Sequence, residues 1–255
     1  MDTGCLKLDT AANPSGDIAA TMTCTPWRSA VFFDVDETII TAKSMFAFLQ
    51  FWCETTDTAL RYAPIAVHFG EMARSGIDRT EINRAYYRLF AGVAHTRLEQ
   101  AGRAWYADYR ERDDAYVAAT LAAIERHQAA GEAIVMVSGG FHACLDPIAE
   151  EIGADLVLCT EPMLTPDGIL TGEVVKPMIG TAKAAAARAT MARLRLHPGD
   201  CSAYADHSSD LDMLSLTGHP HVIGADPTLQ AKALQHGWPV LPADGRPAPA
   251  TVGAG

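Results

Sequence analysis

The first strongly apolar run is Ala30-Val31-Phe32-Phe33-Asp34-Val35, short and partly β-branched, which predicts a buried strand. From residue 44 to about residue 128 the period becomes helical. Ser44 is placed to cap a helix carrying Met45, Phe46, Phe48, Leu49 and Trp52. Asp57 is placed to start a second helix that Pro64 kinks or interrupts. Asp78-Arg79-Thr80-Glu81 offers capping residues to a third, with Ile82, Tyr86, Leu89 and Phe90 on its apolar side. Residues 96–112 and 114–130 complete the helical stretch, whose aromatic residues are expected to be core. After Gly131 the short runs return. Strands are predicted at 132–137, ending at Ser138-Gly139-Gly140, at 155–159, and at 201–205, ending at Asp206. Helices are predicted at 144–151 and 181–194, a hairpin around Asp167-Gly168, and edge strands at 221–223 and 239–241.

Strands that alternate with helices predict an α/β fold, a Rossmann-like, mostly parallel sheet flanked by helices on both faces. The all-helical stretch between the first two strands then reads as an insertion. The expected division is a leader at 1–28, a discontinuous core at 29–43 and 121–241, the helical insertion at 44–120, and a loose tail at 242–255 rich in Ala, Pro and Gly.

Composition narrows the function. The chain has 255 residues, 49 % hydrophobic and 20 % charged, as in a globular protein with a sizeable core. No apolar run is long enough for a membrane span. The start lacks the basic and apolar segments of a signal peptide, so the expected location is the cytoplasm. The formal net charge of −11 argues against general affinity for nucleic acid or anionic membranes. The 6 cysteines form no C-x-x-C pair, which disfavours zinc, and are expected to be inert thiols. The expected assembly is a monomer or homodimer.

The polar residues of interest fall at predicted strand ends: Asp34 and Asp36, Ser138, and Asp206. In an open parallel sheet that edge is where ligands bind. Lys183, at the start of a helix, can point into the same space, with Lys176 as its rival. Converging carboxylates repel, and a divalent cation relieves the repulsion. Oxygen ligands without His or Cys favour magnesium. A hydroxyl from Ser138, a close backbone approach at Gly139 and a positive charge from Lys183 suit a transferring phosphoryl group, and a carboxylate can attack phosphorus.

Asp34-Val35-Asp36-Glu37-Thr38 resembles the D-x-D-x-T signature of the haloacid dehalogenase superfamily. Ser138 after a strand resembles its second motif. Lys183 in Gly180-Thr181-Ala182-Lys183 resembles the third, and Asp206-His207-Ser208-Ser209-Asp210 the fourth. The helical insertion is similar to the cap domain of the phosphoserine-phosphatase-like branch. The resemblance implies a magnesium-dependent phosphatase acting on a small phosphorylated metabolite. Asp34 would be the nucleophile and Asp36 the acid and base, with Thr38 ordering their loop. Asp34, the Asp36 carbonyl and Asp206 would hold the metal, and Asp210 would orient the site from behind them. Ser138 and the Gly139 amide would hold phosphate oxygens, Lys183 would neutralise charge, and Ser209 stands where relatives often carry asparagine. Hinges are expected near residues 41–43 and 113–116.

Phosphoserine phosphatases carry an acidic residue for the substrate ammonium where this chain has Lys43. A lysine there would repel an ammonium group and suit a carboxylate, a second phosphate or a neutral polyol, so phosphoserine is expected to be a poor substrate. Met45, Phe46, Trp52, Tyr86 and Tyr87 are candidate pocket walls, and His142 and His207 are expected in surface or loop roles, with contact to the substrate as the alternative for each. Two other readings remain: a phosphotransferase using the same aspartyl phosphate, and a binding module that kept the fold without the chemistry.

Overall fold

The computed structural model describes residues 27–249. Most of the expected leader therefore lies outside the described residues, although Trp27 packs against the core. The chain begins with β1 (Ala30–Phe33) and then runs through α1 (Ser44–Thr55), α2 (Tyr62–Arg74), α3 (Arg79–Arg88) and α4 (His95–Tyr109) before β2 (Tyr116–Val117). Next come α5 (Ala118–Ala129), β3 (Ala133–Ser138), α6 (His142–Ile152) and β4 (Leu156–Cys159). A hairpin of β5 (Pro162–Leu164) and β6 (Leu170–Val174) leads to α7 (Thr181–Leu194) and β7 (Ser202–Ala205). The last elements are α8 (Leu211–Leu216), β8 (His219–Ile223), α9 (Pro227–His236), β9 (Val240–Leu241) and β10 (Gly245–Arg246).

Six strands form one parallel sheet in the order β4-β3-β1-β7-β8-β9. The chain fills the sheet to one side of β1, then returns to fill the other, so the order reverses between β1 and β7. Side chains on these strands alternate between two cores. Val31, Phe33, Ile134 and Met136 face the core shared with α1, α4, α5 and α6. Ala30, Phe32, Ala133, Val135 and Val137 face the one formed with α7, α8 and α9. Both faces are covered, which is why the strands read as continuous apolar runs rather than alternating ones.

Several expected boundaries move for local reasons. Helix α2 starts at Tyr62, not near Asp57, which puts Pro64 in the first turn, where its missing N–H costs nothing. Asp78 caps α3 as expected, accepting from the Thr80 amide at 2.8 Å. Ser44 is the first residue of α1 and not its cap: its amide donates to Asp36 Oδ1 at 3.0 Å. A carboxylate from the neighbouring loop thus takes the place of a local capping oxygen. Part of the expected loose tail is also paired. Gly245–Arg246 runs antiparallel to β2, and the Ala118 amide donates to Asp244 O at 2.8 Å. The edge of β2 supplies that partner, and two residues are too few to show a period in sequence.

Candidate active site

The carboxyl ends of β1, β3 and β7 open onto a cavity of about 610 Å³, closed on its other side by α1, α2 and α3. Asp34 and Asp36 come from the loop after β1. That loop turns sharply: the amides of Thr38, Ile39 and Ile40 all point to Val35 O, at 3.3, 2.9 and 3.1 Å, and Glu37 takes a left-handed conformation at φ 59°. The turn leaves both acidic side chains on the cavity wall and drops Thr38 behind it, fully buried. Thr38 Oγ1 donates to Asp206 Oδ1 at 3.0 Å, tying the end of β1 to the end of β7 across the point of strand reversal.

Lys183, one turn into α7, is 5 % exposed and sits between two carboxylates. Its Nζ donates to Asp34 Oδ1 at 2.6 Å and to Asp210 Oδ2 at 2.8 Å. Burial opposes the lysine's charge, but these two partners outweigh it and hold its pKa above the ordinary value. Lys176, the rival lysine, is exposed and does not line the cavity.

The carboxylates are crowded. Burial pushes Asp34 well above the usual carboxylate range, Lys183 opposes the shift, and Asp210 and Asp206 add to it. Asp36 is pushed up to about 6, first by burial and then by the charge of Asp34, against the Ser44 contacts. Such a group exchanges a proton readily near neutral pH, as a general acid and base must. Asp206 is also raised by burial, although contacts with Asp34 and Thr38 oppose the rise.

Ser138 ends β3 and is 2 % exposed. Its Oγ accepts from the Gly140 amide at 3.0 Å, which leaves its own hydrogen free to donate outward. A Cβ on Gly139 would lie 2.5 Å from Ile179 Cδ1, so that side-chain tip would have to move aside for any larger residue. The Gly139 carbonyl is held by Asn83 Nδ2 at 2.9 Å and Tyr87 Oη at 3.2 Å.

Ser209 and Lys43 also line the cavity, but differently. The Ser209 amide donates to His207 Nδ1 at 3.0 Å. Lys43 is 61 % exposed at its side chain and pairs with Glu37 at 3.3 Å. Thus Asp34, Asp36, Ser138, Gly139, Lys183, Asp206, Ser209, Asp210 and Lys43 surround one space, with Thr38 behind it. Among the described residues, no three His, Cys, Asp or Glu side chains form a ready metal cage.

The family model of the haloacid dehalogenase-like hydrolases matches residues 31–215. The chain belongs to that family. A protein of Streptomyces azureus called inhibition of morphological differentiation protein is 31 % identical over 219 residues, 84 % of this chain and 78 % of that one. A probable phosphatase of Mycobacterium tuberculosis is 32 % identical over 218 residues, 84 % of this hydrolase and 75 % of the relative. Among solved structures, a Bordetella pertussis protein of unknown function superposes with a TM-score of 0.75 at 21 % identity, covering 85 % of this chain and 99 % of that one. Phosphoserine phosphatase, solved as a phospho-aspartyl intermediate analogue, superposes at 0.62 with 17 % identity over 86 % and 95 % of the two chains. The hydrolase therefore has the phosphoserine phosphatase fold.

Of the candidate walls, Met45, Phe46 and Tyr86 line the cavity, whereas Trp52 and Tyr87 are buried in the core behind it. His142 lies elsewhere, between α4 and α6. His207, expected in a loop role, lines the cavity in contact with Arg79, whose Nη1 sits 2.9 and 3.0 Å from its two ring nitrogens. Burial and then Arg79 lower the His207 pKa. In sequence Arg79 is only part of a helix start. Nothing in one sequence signals that α3 brings it against the loop after β7.

Proposed function

We propose that this hydrolase is a phosphatase acting on a small phosphate monoester through an aspartyl phosphate on Asp34. The observation that carries the reading is the meeting of Asp34, Asp36, Ser138 and Lys183, from three separate stretches of chain, on one cavity. An oxygen of Asp34 attacks phosphorus as the ester P–O bond breaks. The proton of Asp36 goes to the departing alkoxide. Asp36 then takes a proton from the water that attacks the aspartyl phosphate, releasing phosphate and restoring the Asp34 carboxylate. Lys183 and Ser138 balance charge on the phosphoryl oxygens. The helices α1–α4 act as a cap that limits water during the first step, with hinges near residues 41–43 and 113–116.

The donor set fits a magnesium ion. The charges of Asp206 and Asp210 both bear on Asp34, and the one buried lysine among the described residues already serves Asp34 and Asp210. Asp206 is left with a neutral hydroxyl partner. A hard cation would relieve that imbalance, held by the carboxylates of Asp34 and Asp206 and the carbonyl of Asp36. When bound, it supplies Lewis-acid stabilisation of charge on the phosphoryl group. Asp210, through Lys183, fixes the far side of Asp34.

The test is Asp34→Asn. A phosphatase should lose turnover by at least about a thousandfold with its folding unchanged, and the wild type should lose activity in EDTA and regain it with magnesium. Retention of phosphate release by the variant would sink the reading. Measuring free phosphate against phosphorylated acceptor separates hydrolysis from transfer.

A further inference from the structure

Helix α2 carries His68, Glu71 and Arg74, none of which lines the cavity. The residues it presents there are Ala66, Phe69, Gly70 and Ala73, the spacing of one helical face. Three of these four have no more than a methyl group. A Cβ at Gly70 would meet no heavy atom within 4 Å, so this part of the face borders open space.

The adjoining aromatic surface is also apolar and well braced. Phe46 and Phe69 meet edge to face at 5.7 Å, and Tyr86 lies 6.2 and 6.4 Å from them. Ile77, Ile82 and Ile179 extend the surface. The polar groups next to this apolar surface are already engaged: Tyr86 Oη donates to Met45 O at 2.7 Å and Asn83 Nδ2 to Gly139 O, while Arg79 lies toward His207. Asn83 Oδ1 is unpaired but sealed from solvent. A polyol or zwitterion laid along this groove would lose hydrogen bonds to water and find few in return, which is costly for each group. An alkyl chain or ring would gain by leaving water.

The groove is continuous with the phosphate end of the cavity, because residues of both belong to one space. We infer that the α2 groove holds the organic part of the substrate, and that the substrate is the phosphate monoester of an extended alkyl or aryl alcohol. The inference deepens the phosphatase reading and rests on it only for the ester end.

Two measurements test it. With wild-type enzyme and magnesium, kcat/KM along ethyl, butyl, hexyl and octyl phosphate should rise about threefold per methylene until the groove is full. In Gly70→Leu, whose side chain enters the groove, the octyl-to-ethyl ratio of kcat/KM should fall at least about tenfold. A flat series, or faster turnover of sugar phosphates of similar size, overturns the inference; if Gly70→Leu fails to fold, the wild-type series still decides. Calorimetry of alkylphosphonates binding to Asp34→Asn separates the two readings. If affinity grows with chain length but no ester is hydrolysed, the phosphatase reading fails and the groove stands. If esters are hydrolysed but affinity ignores chain length, the groove fails and the phosphatase reading stands.

Discussion

The sheet side and the helical side of the cavity follow different rules. On the sheet side Asp34, Lys183 and Asp210 are nearly inaccessible, and each is held by another charged group. On the helical side the α2 face is made of small or aromatic residues, with Gly70 and Ala73 exposed and no charged side chain. A change on the first side leaves a buried charge unpaired, which is among the costliest single changes a fold can suffer. A change on the second alters only volume. On the proposed reading, chemistry and selectivity are carried by regions with very different tolerance, and the one can vary without disturbing the other.

The sharpest test of that contrast is Lys183→Met. It leaves Asp34 and Asp210 facing each other without a cation, and we expect a stability loss of about 3 kcal/mol together with a loss of turnover of at least about a thousandfold. Thermal unfolding and steady-state kinetics check both. A variant as stable as the wild type would mean that the buried pair does not hold the sheet side together. Arg79 is the next lever. It has no carboxylate partner among the described ion pairs, and it reaches from α3 to His207 beside the fourth motif. If it holds an anionic group of the substrate, Arg79→Ala should raise KM about tenfold with kcat nearly unchanged. An unchanged KM would assign it to packing alone. On the tolerant side the sign reverses. Gly70 sits in a helix with room for a methyl group, so Gly70→Ala should stabilise the fold by about 0.5–1 kcal/mol. A lower midpoint in denaturant would show that the open space is needed by the fold itself.

The same division explains what could be read in the sequence. Asp34, Ser138 and Asp206 stand at strand ends, and a parallel sheet sends all its carboxyl ends to one edge, so apolar runs followed by polar residues were enough to gather them. The two cores were legible for the same reason. The helical side was not, because a helix period says which residues share a face but not what that face meets. Phe69 and Tyr86 belong to the core and the cavity wall at once, while Trp52 and Tyr87, of similar character, belong to the core alone. Asp36 gave no hint that it would cap α1, since the capping contact joins a loop to a helix start eight positions on. Arg79 and His207 lie 128 residues apart, and no local pattern links them.

Lys43 is where the two sides meet, and it offers the smallest effect and the finest test of substrate choice. It stands just before α1, at the cavity margin, and its ammonium is shared with Glu37 at 3.3 Å in a largely exposed pair. Exposed pairs contribute little, so Lys43→Glu should change stability by no more than about 0.5 kcal/mol. Its effect on selectivity comes from sign reversal at the margin: an ammonium on the substrate would meet a carboxylate instead of a lysine. Solvent screens that exchange, and so the ratio of kcat/KM for phosphoserine to that for hexyl phosphate should rise only about threefold. Titrating salt provides the control, because a charge effect at this position must shrink as ionic strength rises. A ratio that does not move at low salt would mean that Lys43 faces away from the substrate, and the expected discrimination against phosphoserine would then have to come from the apolar face of α2 alone.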